Sequence, residues 1–309
     1  MKKQVPQKRK PSIAIVGAGR LGQALAIALR SAGYPLLALV ARRRQKAENA
    51  VALLGGAKPL PRVLAANQLS ELPPADLILI ATPDDAIAET AQRLSNVWRP
   101  EGRRTVLHTS GALSSGALAP LAQRGFETGS IHPLVSISEP VSGAAALRGA
   151  FYCLEGTRKA KTLAAALVRD LGGCSFTINP ESKALYHAAA VMASPHLTAL
   201  FDLATEMLAA CGIKQSKAQE VLMPLLESTV NNLKASHSRK ALTGTFARGD
   251  VATVRKHLQA LQGDRLAEAL AVYKLLGLHS LQLAEKNGLD PQLLKQIRKL
   301  LHSTGAQSE

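Results

Sequence analysis

The chain has 309 residues, 47% of them hydrophobic and only 3% aromatic, with a formal charge of +16. That length supports two domains with sizeable, mainly aliphatic cores. No uninterrupted apolar run reaches membrane-spanning length. Cys153, Cys174 and Cys211 are odd in number and lack metal or disulfide spacing, which suits a reducing cytoplasm. The charge raises nucleic acid as a partner. The basic residues are spread along the chain, however, and no nucleic-acid motif interleaves them with aromatics, so that partner is disfavoured. The opening MKKQVPQKRKP is basic and lacks the apolar segment of a signal peptide; positions 1–11 read as a disordered tail.

Residues 13–16 (IAIV) form a short apolar run that reads as a buried strand. Gly17-Ala18-Gly19-Arg20-Leu21-Gly22 follows at once and fits G-x-G-x-x-G, and behind it Leu21, Ala24, Leu25 and Ala28 recur at helical spacing. Strand, glycine turn and helix in that order are the context of a dinucleotide-binding loop. Gly17 permits the tight turn, Gly19 lets the backbone approach a pyrophosphate, and Gly22 lets the helix lie close to the strand. The helix start offers unpaired N–H groups to phosphate.

Residues 36–40 read as the second strand. Its end carries Ala41 and then Arg42-Arg43-Arg44, where an NAD site has an acidic residue for the ribose hydroxyls. Guanidinium groups there suit a 2′-phosphate, so Arg42 and Arg43 point to NADP in preference to NAD. A helix over 45–54 ends at Gly55-Gly56, and a short strand lies near Arg62-Val63. Residues 76–81 (DLILIA) form a strand with Thr82-Pro83-Asp84-Asp85 at its carboxyl end. Asp84 or Asp85 reads as the N-cap of a helix over 86–94. That leaves Thr82 and Pro83 as neighbours of the cofactor.

The strand over 105–108 ends in His108-Thr109-Ser110-Gly111, where Ser110 is placed to hydrogen-bond cofactor or substrate. Residues 125–132 lead to Ile131-His132-Pro133-Leu134, again at a strand end. Strands over 151–154 and 174–178, separated by a helix over 158–171, extend the sheet. No strand pattern appears after Ile178. Asn179-Pro180-Glu181 reads as a capped helix start, opening one long helix to Gly212 with a kink near Ser194-Pro195. Further helices are expected over 215–235, 251–262, 264–287 and 291–302. Asp250 is placed to cap the second of these four, with Arg248 pairing it or reaching an acidic substrate. The expected fold is a doubly wound, mainly parallel Rossmann-type α/β domain over 12–179, followed by an all-helical domain over 180–309.

These segments resemble the short dehydrogenase-like proteins that join a Rossmann-like domain to a helical C-terminal domain of unknown function. The resemblance rests on GAGRLG at 17–22, HTSGAL at 108–113, SIHPL at 130–134, YHAAAVMAS at 186–194, and LTGTFARGD at 242–250 with Thr253 and His257 downstream. Pro195 and Thr245 stand where that pattern often has Asn and Pro. More distantly the chain is similar to β-hydroxyacid dehydrogenases, pyrroline-carboxylate reductases and deazaflavin-dependent NADP reductases. In the first group a Lys near the start of the long helix transfers protons, with an Asn four positions later. Lys183 matches the Lys, but His187 stands in place of the Asn. The resemblance implies oxidoreductase chemistry and a homodimer paired through the helical domain.

Hydride transfer needs a group that handles the substrate's proton. Lys183, Tyr186 and His187 share one helix face at i, i+3 and i+4. Lys183 and His187 are the candidate catalytic residues, facing a cleft between the domains. His108, His132, Ser194, His196 and Arg248 are the candidate substrate contacts. The histidine spacing matches no metal signature. Two functions stay open: an NADP-dependent oxidoreductase acting on a small carbonyl/hydroxy or imine/amine substrate, and a non-catalytic NADP-binding sensor or scaffold.

Overall fold

The computed structural model describes residues 9–55, 59–98 and 104–303. Most of the expected tail, and Gly56, lie outside these. Within the tail, Lys10 is anchored: its Nζ lies 3.2 Å from the Asp170 carboxylate and 4.7 Å from the centre of the Tyr34 ring. The chain divides into two compact units, Met1–Ser194 and Pro195–Glu309.

The first unit is built on one eight-stranded sheet. Its strands are β1 (Ile13–Val16), β2 (Leu36–Ala41), β3 (Arg62–Ala65), β4 (Leu77–Ile80), β5 (Thr105–His108), β6 (Glu127–Pro133), β7 (Phe151–Gly156) and β8 (Cys174–Thr177). Their order is β3-β2-β1-β4-β5-β6-β7-β8. The strands from β3 to β6 are parallel, β7 runs antiparallel to β6, and β8 runs parallel to β7. All four residues of β1 and of β4 are buried. Alternate side chains feed two cores, one on each face: Ile13, Ile15, Leu77 and Leu79 on one, Ala14, Val16, Ile78 and Ile80 on the other. Each fully buried Ile or Leu contributes about 1.5–3 kcal/mol, which is why these strands read as continuous apolar runs. At their amino ends Ser12 N–H and Oγ both donate to Asp76 Oδ2 at 2.8 Å.

The chain order reverses between β1 and β4, and there the glycine loop leaves the sheet. Gly17 N–H donates to Val40 O, and Ala81 N–H to Val16 O. Gly17 has φ +116, and an added Cβ would lie 2.7 Å from Thr82 N. An added Cβ on Gly22 would collide with the carbonyl oxygen of Gly17. Gly22→Ala is therefore expected to cost about 3 kcal/mol, as overpacking against backbone does, read as a lowered denaturant midpoint. An unchanged midpoint would show that the loop has slack.

Three local expectations need correction. The helix after β4 is Asp84–Val97 with Pro83 at the capping position, so Asp84 and Asp85 occupy its first turn rather than its N-cap. There their charge still favours the positive helix end. Asn179 makes no side-chain capping bond, and a single 3-10 turn, Pro180–Ser182, precedes the helix Lys183–Ala193. The expected long helix is interrupted at Ser194, with φ −131 and ψ −77, before a separate helix Pro195–Ala210. The Pro195 ring forces the preceding residue out of helical geometry.

The second unit is entirely helical among the described residues, with Gln215–Ala235, Val251–Ala260, Ala267–Lys286 and Pro291–His302 close to expectation. Two short helices, Ser238–Ala241 and Gly244–Arg248, had no sequence signal. Its core gathers Val254, Leu281, Leu294, Ile297 and Leu301. Asp250 caps its helix, accepting from Thr253 N–H at 3.0 Å, but no ion pair joins it to Arg248 among the described residues. No helix is long and apolar enough to cross a membrane among the described residues.

Candidate cofactor and active site

The first part of the site is the glycine loop. The helix Arg20–Ser31 begins at Gly19, which has φ −75 and ψ −176 and no side-chain cap. Its first N–H groups have no intrahelical partner. Gly19 and Arg20 are exposed, whereas Ala18 and Gly22 are buried and Leu21 is half-buried. A Cβ added at Gly19 would meet nothing within 4 Å, so the space beside it is open. Thr82 Oγ1, next to Gly17, is the one buried side-chain polar atom without a hydrogen-bond partner among the described residues. A buried hydroxyl left unpaired calls for an explanation. An open glycine, a free helix start and an orphan hydroxyl at a topological switch point together fit a pyrophosphate-bearing nucleotide. Pro83 is exposed beside them. Arg42 and Arg43 are exposed at the end of β2 and make no ion pair among the described residues, while Arg44 pairs with Glu48.

The second part gathers at the carboxyl ends of β5 and β6. Lys183 is only 1% exposed. Its Nζ donates to Ser110 O at 2.9 Å and to Ser130 Oγ at 3.2 Å. Burial lowers its pKa, with Cys153, Glu155 and Asp84 opposing that shift. Ser110 Oγ donates to Asp84 Oδ2 at 2.8 Å and accepts from Ala112 and Leu113 N–H. The serine hydroxyl is thus consumed by the protein. Ser110 shapes the loop through this hydroxyl and holds Lys183 through its carbonyl. Glu155, buried at the end of β7, accepts from Ser115 N–H and Oγ, both at 2.6 Å, and clips the far side of the same loop.

His108 also turns inward. It is fully buried, its Nδ1 accepts from Ser110 N–H at 3.2 Å, and its Nε2 donates to Ser114 O at 3.0 Å. Burial is the main cause that pushes its pKa down to about 4. Both ring nitrogens are used by backbone, so His108 anchors the loop. His132 is different. Its Nδ1 lies 2.7 Å from the Tyr186 hydroxyl, and its Nε2 has no partner among the described residues. Burial, followed by the Lys183 charge, pushes its pKa down to about 4. His187 is half-buried and meets the His132 ring edge-on, with centroids 5.7 Å apart. Both imidazoles press on Gly111, where a Cβ would collide with His187 Cδ2 and lie 2.9 Å from His132 Nε2.

The structure therefore brings Ser110, His132, Lys183 and His187 together, with His108 behind them. Ser194 ends the first unit. His196 and Arg248 are exposed residues of the second unit. Sequence reasoning missed Asp84, Ser130 and Glu155 as supports of the loop. A lone acid in the apolar strand FYCLEG was the available signal for Glu155.

The glycine loop falls within residues 2–133, which match the family model described as Rossmann-like domain. Residues 150–280 match the model described as Domain of unknown function (DUF2520). No curated protein matches the sequence. Among solved structures the chain is similar to protein TM1727 from Thermotoga maritima (22% identity, 89% of this chain and 99% of that one, TM-score 0.67). A Bacteroides fragilis protein named as a candidate NADP oxidoreductase, BF3122, compares at 21% identity, 89% and 98% coverage and TM-score 0.68. The 1-pyrroline-5-carboxylate reductase of Streptococcus pyogenes compares at 15% identity, 94% and 99% coverage and TM-score 0.57. At these identities the likeness is one of fold. The chain joins a Rossmann-like domain to a DUF2520 domain, the pairing that its motifs resemble.

Proposed function

We propose that the chain is an NADP-dependent oxidoreductase that moves hydride between nicotinamide and a small carbonyl/hydroxy or imine/amine substrate. The observation that carries this reading is the open glycine loop at the β1–β4 switch point, with the unpaired Thr82 hydroxyl beside it. The names of similar folds agree with it. They include pyrroline-carboxylate reductases and an Aspergillus terreus reductive aminase in complex with NADPH.

Gly17, Ala18, Gly19, Arg20, Leu21 and Gly22 would hold the pyrophosphate through backbone N–H groups and the helix end. Thr82 and Pro83 would flank it, and Arg42 and Arg43 would take the 2′-phosphate. A bound nicotinamide supplies the hydride or the electron-poor ring that receives it. Lys183 braces the loop at Ser110 and contributes a buried positive charge. His187, half-buried with no ring-nitrogen bond in the described structure, is the proton-transfer group of this proposal.

The test is NADPH oxidation followed at the nicotinamide absorbance over a panel of aldehydes, ketones and cyclic imines. Turnover is expected. Tight NADPH binding with no turnover anywhere would overturn the enzyme reading in favour of the sensor. The double variant Arg42→Glu, Arg43→Glu should weaken NADPH at least tenfold more than NADH, measured by titration calorimetry. Equal losses would remove the 2′-phosphate assignment.

We also propose a homodimer formed through the second unit. Its support is a set of exposed apolar side chains there, including Leu275 at 69% and Leu225 at 65% exposure. Light scattering at micromolar concentration should give twice the chain mass, and a monomer would refute the assembly.

A further inference from the structure

Two imidazoles flank Gly111, and their hydrogen bonds differ. Among the described residues His187 has no hydrogen bond at either ring nitrogen, whereas His132 is tied at one of them. His132 lies near the end of β6, opposite Cys153 of β7. The Tyr186 ring stands edge-on to it, with centroids 5.6 Å apart, and the phenol oxygen is 2.7 Å from Nδ1. Burial, followed by the neighbouring Cys153, raises the pKa of Tyr186 well above the ordinary phenol value, so the hydroxyl keeps its hydrogen. That hydrogen needs an acceptor. The Cys153 thiol is a weak one and an unprotonated imidazole nitrogen a strong one. Tyr186 therefore donates to Nδ1, and the ring hydrogen of His132 sits on Nε2. That nitrogen faces Gly111, whose missing Cβ lets the His132 and His187 rings pack close against the loop.

We propose that Tyr186 is a positioning residue that fixes His132 as its Nε2–H tautomer, and that this N–H binds the carbonyl or carboxylate oxygen of the substrate. The inference rests on the oxidoreductase reading and narrows it from carbonyl or imine to oxygen acceptors. The donor character of Nε2 supports the choice. A protonated imine would bring a second N–H donor to it, while an oxygen with developing negative charge accepts from it. The ionic groups nearby are of both signs, Lys183 with the Asp84 and Glu155 carboxylates, so the choice rests on the N–H and not on net charge.

The step balances. Hydride from the dihydronicotinamide forms the new C–H bond, and the C=O π pair moves onto oxygen. His132 Nε2–H stabilises that oxygen without giving up its proton, as a neutral imidazole can. The oxygen then takes one proton from His187, which solvent restores. The products are an alcohol and the oxidised nicotinamide.

The test uses the full-length, ¹⁵N-labelled protein at pH 7 with long-range ¹H–¹⁵N spectra of the imidazoles, assigned with His132→Gln. The expected result is an Nε2–H tautomer at His132 that becomes a mixture in Tyr186→Phe, whose ring still packs against Phe176. An Nδ1–H tautomer in the native protein, or an unchanged tautomer in Tyr186→Phe, would overturn the positioning role. Oxalate is then added as an oxygen probe and pyrrolidinium as a stand-in for an iminium. Oxalate alone should shift the His132 Nε2 resonance. A shift with pyrrolidinium, or with neither probe, would overturn the oxygen assignment. NADPH titration of the same sample keeps the two proposals apart, because lost cofactor binding would sink the oxidoreductase reading while the tautomer still decides the role of Tyr186.

Discussion

Gly19→Asp is expected to fold at least as well as the native chain and to lose NADPH by 100-fold or more. The two effects have opposite signs because Gly19 holds two positions at once. It is the N-cap of the helix Arg20–Ser31, in an extended conformation that any residue adopts, and an added Cβ there meets nothing within 4 Å. Aspartate is among the best N-cap residues, worth a few tenths of a kcal/mol over glycine. The same carboxylate would stand where the pyrophosphate is proposed to approach. Like charges about 4 Å apart at the edge of a protein repel by about 4 kcal/mol, before any steric cost. Even two thirds of that corresponds to roughly 100-fold in affinity. Differential scanning fluorimetry and calorimetric titration check the two halves separately. NADPH affinity within about fivefold of native in a folded Gly19→Asp protein would remove the glycine loop from the site.

That contrast shows what the sequence reveals and what it hides. The glycine loop was legible because its logic is local: strand, turn and helix are contiguous, and each glycine answers a steric demand of its neighbours. The face shared by Lys183, Tyr186 and His187 was legible for the same reason, since helical spacing alone aligns them. The supports of the site were not. Ser110 finds Asp84 across 26 positions and Ser115 finds Glu155 across 40, pairings that only the sheet order creates. The anchoring by His108 was hidden, because a histidine at a strand end is ambiguous until its loop is seen to fold back over it. The direction of β7 was hidden too. A short helix, Pro140–Ala146, lies between β6 and β7, and a helical connection ordinarily signals a parallel crossover. Pro195 did announce itself, but as a kink, whereas the structure shows two helices.

Acid should unfold the first unit earlier than its carboxylates alone would require, and the cause lies in His108 and His132. Each has a folded pKa of about 4. In the unfolded chain the imidazole returns to roughly 6.5. Below that value the unfolded state takes up protons that the folded state refuses, so stability falls as pH drops. The loss begins near pH 6.5 and is complete once pH reaches the folded value near 4. At about 1.4 kcal/mol per unit, each histidine removes roughly 3 kcal/mol and the pair roughly 6 over that window. A typical domain has only about 5–15 kcal/mol to lose. Protonation would also break particular bonds: His108 Nδ1 would lose its acceptance from Ser110 N–H, and His132 Nδ1 its acceptance from Tyr186. Both bonds shape the loop around Gly111, so local opening there should accompany the loss. The denaturant midpoint of the first unit should fall steeply from pH 6.5 to 4.5, and His132→Gln should remove about half of that slope. A midpoint that stays level across the window would show that neither imidazole is held neutral by burial. A steep slope that survives His132→Gln in full would assign the acid sensitivity to other groups.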